Sequence, residues 1–132
     1  MKLTAEQLQS NWVDFISNIE NYITGDRKQK LLDFYKKYEE RVILMPASHK
    51  KEYHSAFPGG YVDHVNRVVD ASLKMYDVWK EFGMDTSTFT IEELVFSAIN
   101  HDLGKMGDAQ NESYIPQTDQ WRRDKLGEEY MH

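Results

Sequence analysis

The sequence contains no cysteine, only three prolines and no long run of apolar residues. Without cysteine the chain can form neither disulfides nor a thiolate zinc site, and a reducing compartment, the cytoplasm, is the expected location. No apolar stretch approaches the roughly 20 residues needed to span a bilayer, and the first residues lack the apolar core of a secretion signal. We therefore expect no membrane partner.

The chain also lacks an excess of positive charge. Its 16 lysines and arginines are outnumbered by 22 acidic residues, so the formal net charge is −6. An acidic surface repels the phosphate backbone, which argues against non-specific binding to nucleic acid. A small phosphorylated ligand, held by a metal ion and a few local cations, remains compatible with this charge.

The length and composition indicate one helical domain. The chain has 132 residues, of which 40% are apolar and 29% charged, as in soluble globular proteins. Apolar residues recur at spacings of three and four almost throughout, and no alternation is long enough for a sheet. We therefore predict an all-α fold, a bundle of about five helices that occupies residues 1–132 as a single domain.

Capping signals, glycines and prolines set the predicted helix boundaries. The third and fourth helices are expected to be central, and the side chains of Trp12, Val68, Leu73 and Ile99 to be largely buried. The predicted helices cover about residues 4–23, 26–42, 61–82 and 118–132. A further helix is predicted from residue 91 to the His101-Asp102 pair, with Gly104 as the residue that ends it.

Two segments carry metal-binding side chains at the edges of predicted helices. The first runs from His54 to His64, and its Pro58-Gly59-Gly60 sequence permits a tight turn and a close backbone approach before a helix. The second is His101-Asp102-Leu103-Gly104-Lys105. Imidazole and carboxylate together suit divalent Fe, Mn, Co, Ni, Zn or Mg.

The position of the His101-Asp102 pair suggests how the two side chains can share an ion. Neighbours within a helix point about 100° apart, but the last turn of a helix can loosen and let them converge. The partial negative charge of a helix C-terminus also favours a cation there. His64 would add a ligand from another helix, as in metal sites of helical bundles. Each residue alone would be read as a cap or a surface group, whereas their joint occurrence favours a metal site.

These two segments resemble the HD-domain metal-dependent phosphohydrolases, whose pattern is a His, a His-Asp doublet and a distant Asp. The similarity covers about residues 54–105, and His64, His101 and Asp102 match the first three positions. The resemblance implies an HD-type helical bundle with one or two divalent ions bound by these residues, and Asp102 as the residue central to catalysis. It also implies hydrolysis of a phosphomonoester or phosphodiester, with a nucleotide as the expected substrate.

The resemblance extends to three further candidates. Lys105 would hold a substrate phosphate, although a lysine that interacts with a helix C-terminus is an equal alternative. His54 would contact the substrate or orient a metal ligand. The segment 125–132 is loosely similar to a later family segment, which makes His132 a candidate ligand for a second metal.

The distant Asp of the family pattern has no match in this sequence. The chain therefore reads either as truncated at its C-terminal end or as a domain that has lost catalysis. Three functions stay open: a phosphohydrolase, a catalytically incomplete module that binds metal or nucleotide without turnover, and a structural helical interaction domain. The predicted last helix would present an apolar face. A second copy of the chain could cover this face, so a homodimer is one expected assembly.

Overall fold

The computed structural model describes residues 2–132 and is predominantly helical, which confirms the prediction of an all-α fold. Two short strands, β1 (Ile115–Pro116) and β2 (Tyr130–Met131), form the sheet found within these residues. Each described helix is too short or too polar to cross a membrane. The α-helices are α1 (Ala5–Tyr22), α2 (Gly25–Lys37), α3 (Glu39–Leu44), α4 (Gly60–Glu81) and α5 (Ile91–Asn100).

Two capping boxes begin α1 and α5 where the sequence predicts them. The Thr4 hydroxyl accepts a hydrogen bond from the Gln7 amide, and the Gln7 side chain accepts one from the Thr4 amide. Thr90 and Glu93 repeat this exchange at α5. Each pair satisfies amides that a helix N-terminus would otherwise leave without partners.

The predicted helix 26–42 is divided in the structure. Tyr38 leaves helical geometry, with φ −106° and ψ 19°, and so separates α2 from α3. Both segments bury side chains in the core, Tyr35 before the break and Val42 after it. The chain has neither glycine nor proline at this point, so the apolar spacing alone could not indicate the break.

The predicted helix 118–132 is confirmed for residues 120–126 and is wrong beyond them. A short π-helical turn spans Arg122–Leu126, and Gly127 ends it with φ +66°. The chain then turns back, and β2 pairs antiparallel with β1. The backbone groups of the last residues thus form hydrogen bonds between two strands and not within a helix.

The core lies between α1, α4 and α5, with α2 and α3 closing its sides. Trp12 and Ile99 are buried as predicted, whereas Val68 and Leu73 are only partly buried and pack at its margin. Burial of this apolar surface is the main force that holds the helices together. The central position of α4 and α5, predicted from their apolar faces, brings the start of one beside the end of the other.

Candidate metal centre

A glycine turn places His64 near the start of α4. Gly59 adopts φ +82°, a left-handed conformation that favours glycine, and a side chain at Gly60 would collide with the carbonyl of Ser55. The Gly60 amide also donates a hydrogen bond to the Phe57 carbonyl at 2.8 Å. The predicted close backbone approach is present, and it folds the preceding loop over the first turns of α4.

The other predicted ligands lie where α5 stops. The helix ends at Asn100, four residues before Gly104, so the prediction that Gly104 ends it is wrong. Asp102 has φ −111° and ψ 17°, and a short 3-10 turn, Leu103–Met106, follows. Because Asp102 leaves the helical path, its carboxylate turns toward the neighbouring imidazole: Oδ2 lies 3.2 Å from His101 Nε2.

The structure brings His64 to the same point. Its Nε2 atom lies 3.3 Å from His101 Nε2 and 3.4 Å from Asp102 Oδ2. Donor atoms about 2.1 Å from one ion, at tetrahedral angles, would be about 3.4 Å apart. The spacing of the three donors therefore matches that of ligands on a shared ion.

A backbone contact orients the imidazole of His101. Its Nδ1 atom lies 2.7 Å from the carbonyl oxygen of Ala98. A carbonyl oxygen can only accept, so Nδ1 carries the proton and the neutral ring keeps a lone pair on Nε2. Metal-binding histidines commonly have this second hydrogen bond, which fixes both the tautomer and the ring orientation.

Local electrostatics favour the protonation states that metal binding needs. Burial and the neighbouring His54 imidazole lower the pKa of His64, because both disfavour the imidazolium form. Burial alone would raise the pKa of Asp102, but the Lys105 ammonium and the nearby imidazoles hold it below its usual range. At neutral pH the site therefore presents a neutral imidazole and an ionised carboxylate.

Lys105 lies at the edge of this group. Its Nζ atom is 3.3 Å from Asp102 Oδ2 and donates a hydrogen bond to the Ala47 carbonyl at 3.0 Å. The side chain thus joins the end of α5 to the loop between α3 and α4. It also places one fixed positive charge beside the three donors.

His54 is closer to the centre than the sequence indicates. Its ring centroid lies 4.5 Å from that of His64, and ligand atoms of His54, His64 and Asp102 lie within 4.8 Å of one another. The sequence predicts only a substrate contact or an orienting role for this residue. The glycine turn that follows was the available signal, because it returns the loop to the start of α4.

Tyr61 was not predicted as part of the site. Its side chain is fully buried, and its hydroxyl has no hydrogen-bond partner among the described residues. Burial and the nearby Asp102 carboxylate raise its pKa, so the hydroxyl keeps its proton. The Tyr35 side chain also acts on the pKa of this hydroxyl, so the two tyrosines lie close together in the core.

His132 is not brought to these residues. Its ring lies 6.0 Å from that of His49 and 5.7 Å from that of Tyr114. The cause is the β1–β2 pairing, which replaces the predicted last helix and carries the C-terminus elsewhere. Within residues 2–132 no further carboxylate joins the group of His54, His64 and Asp102, so the distant Asp of the HD-domain pattern has no counterpart there.

Comparison with known proteins identifies no relative. No protein-family model, curated protein or solved structure matches the chain.

Proposed function

We propose that the protein is a metal-dependent phosphohydrolase with an HD-type helical bundle, which acts on a small phosphorylated substrate such as a nucleotide. The observation that carries this proposal is the convergence of His64, His101 and Asp102, whose donor atoms lie 3.2 to 3.4 Å apart. They come from the start of α4 and from the residues directly after α5, and metal sites in bundles are likewise built from side chains of facing elements.

The set of donors indicates which ion the site would take. Imidazoles together with one carboxylate favour Fe, Mn, Co, Ni or Zn over Mg, which prefers oxygen ligands. In this proposal His54, which offers a ligand atom within 4.8 Å of ligand atoms of His64 and Asp102, adds a further protein ligand beside these two. The exposed side of the site would leave positions for water and substrate.

A bound divalent ion would lower the pKa of a coordinated water and offset negative charge on a phosphoryl oxygen. The chain's own residues prepare the site for this chemistry. Asp102 stays ionised, because Lys105 and the imidazoles lower its pKa. The Lys105 ammonium lies where it can attract a substrate phosphate.

One observation favours a second function, a module that binds metal or nucleotide without turnover. Lys105 Nζ contacts Oδ2 of Asp102, the same oxygen that faces both imidazoles. The ammonium therefore competes with an incoming ion for this oxygen. A weakly held ion would support ligand binding better than catalysis.

A hydrolysis assay with matched aspartate variants tests the proposal. Wild-type protein, Asp102→Ala and Asp77→Ala are compared with Mn, Co, Ni, Fe or Mg on nucleoside mono-, di- and triphosphates and cyclic dinucleotides, with EDTA controls. Asp77 is exposed on α4 and serves as the control. We expect the hydrolysis rate of Asp102→Ala to be at least about 100-fold lower than that of the wild type, and the rate of Asp77→Ala to be unchanged. Metal binding without turnover would favour the second function, and equal measurable rates in both variants would contradict the phosphohydrolase.

A further inference from the structure

A second cluster of rings lies where the loop between α3 and α4 meets the C-terminal hairpin. The His49 ring is stacked on the Tyr114 ring, with centroids 6.0 Å apart and planes 21° from parallel. Tyr53 and His132 also pack against His49, with centroids 5.9 and 6.0 Å away. The cluster uses two histidines that the metal centre does not.

A cavity of about 220 Å³ opens beside this cluster. Its lining includes His49, Lys50, Arg122 and Glu128. The volume is below the roughly 300–1,000 Å³ of sites that enclose drug-sized ligands, so it suits one planar ring and not a whole nucleotide. The rings of His49, Tyr130 and His132 line it together with the cations Lys50 and Arg122, a lining suited to a planar ring that carries negative charge nearby.

The cavity wall contains a buried carboxylate. Glu128 is 8% exposed, and its Oε2 atom lies 3.3 Å from an Arg122 nitrogen and 3.5 Å from Gln117 Nε2. Among the described residues both contacts use the same oxygen, so Oε1 can still accept a hydrogen bond. A ring that presents N–H groups, as a nucleobase does, would satisfy this acceptor.

One loop connects the cluster to the metal centre. The Ala47 amide donates to the Ser55 carbonyl at 3.0 Å, and the Ser48 hydroxyl donates to the His54 carbonyl. His49 follows directly after this clamp, while His54 faces the predicted ligands. The same short loop therefore carries one residue of each site, and the clamp fixes both of them.

We propose that this cavity binds the base of a nucleotide. The base would stack on the His49 ring, which the Tyr114 ring supports from behind, and would donate to Glu128. Lys50, in the cavity lining, would attract the phosphate. That the phosphate then reaches the metal centre rests on the proposed phosphohydrolase function. Binding of the base does not, since it needs no metal ion.

Calorimetric titration in EDTA tests this proposal without any metal. Guanosine 5′-monophosphate and ribose 5-phosphate are titrated into wild-type protein, His49→Ala, Tyr114→Ala, Glu128→Gln and Trp79→Ala. Trp79 is an exposed aromatic residue 15 positions after His64 on α4, about 22 Å along the helix, and is the matched control. Circular dichroism verifies that each variant is folded.

We expect the nucleotide to bind the wild type and Trp79→Ala equally, and to bind His49→Ala, Tyr114→Ala and Glu128→Gln about tenfold more weakly. Ribose 5-phosphate, which has no base, should bind weakly to all of them. Equal affinity for both ligands, no binding of the nucleotide, or unchanged affinity in folded His49→Ala and Tyr114→Ala would overturn the proposal.

The variant His64→Ala separates this proposal from the proposed function. If the cavity binds the base, His64→Ala should keep its affinity for guanosine 5′-monophosphate in EDTA even though its metal binding is lost. A parallel loss of nucleotide affinity in His64→Ala would overturn the separate base site. Failure of metal binding in the wild type would contradict the phosphohydrolase alone.

Discussion

The Nε2 atoms of His64 and His101 lie 3.3 Å apart, although the two residues are 37 positions apart in the chain. They meet because α4 begins beside the end of α5. Two protonated imidazoles would repel each other at this distance, so the pair is compatible with neutral rings or with a shared cation. This contact is the geometric centre of the proposed site.

The glycine turn before α4 should be sensitive to a single methyl group. In Gly60→Ala the added Cβ would collide with the Ser55 carbonyl, a backbone atom that cannot rotate away. We expect the free energy of unfolding to fall by about 1–3 kcal/mol, the usual cost of overpacking. Urea unfolding measures it. Gly104→Ala is the control, because no atom lies within 4 Å of its added Cβ, and it should be neutral or slightly stabilising.

Acid should weaken the hydrogen-bonded contact between Glu92 of α5 and Thr24, which joins α1 to α2. Glu92 accepts hydrogen bonds from the Thr24 amide at 2.9 Å and from the Thr24 hydroxyl, which lower its pKa. A lowered folded-state pKa means that the contact stabilises the fold fully above the ordinary glutamate pKa of about 4.3 and is lost as the pH falls through the folded value. The unfolding free energy of Glu92→Gln should therefore depend less on pH below about 5 than that of the wild type. Parallel pH profiles would disprove this role.

The Lys105 side chain should contribute more to substrate binding than to metal binding. Lys105→Met keeps most of the aliphatic stem but removes the charge near Asp102 and the hydrogen bond to Ala47. In the proposed enzyme we expect KM to rise about tenfold, since a phosphate contact is lost, while metal affinity stays equal or increases. Steady-state kinetics at saturating metal measures KM. A clear loss of metal affinity would instead assign Lys105 a role in holding the site together.

Local signals in the sequence predict much of this fold. Thr4-Gln7 and Thr90-Glu93 begin α1 and α5 correctly because a capping box depends on neighbouring residues alone. Gly83, with φ +95°, directly follows the predicted helix 61–82 and is the type of residue that ends helices, and α4 ends there. The break at Tyr38 has no such signal, because it depends on how two segments share one core.

The C-terminal part could not be predicted from helical spacing. Residues Arg122–Leu126 are helical, but the pairing of β1 with β2 depends on contacts between residues 14 and 16 positions apart. The same pairing places His132 beside His49. At the candidate site, the residue types and the glycine turn identified His64, His101 and Asp102, whereas the closeness of His54 depends on the course of the whole loop.

Titration of the apo protein with Mn²⁺ or Ni²⁺ by calorimetry tests the central claim most directly. The compared proteins are wild type, His64→Ala, Asp102→Ala and the control His132→Ala, whose side chain lies beside His49 and Tyr114. We predict one ion per chain in the wild type and His132→Ala, and at least about a 100-fold loss of affinity in His64→Ala and Asp102→Ala. No binding by the wild type, or equal affinity in all four proteins, would contradict a metal centre at this site.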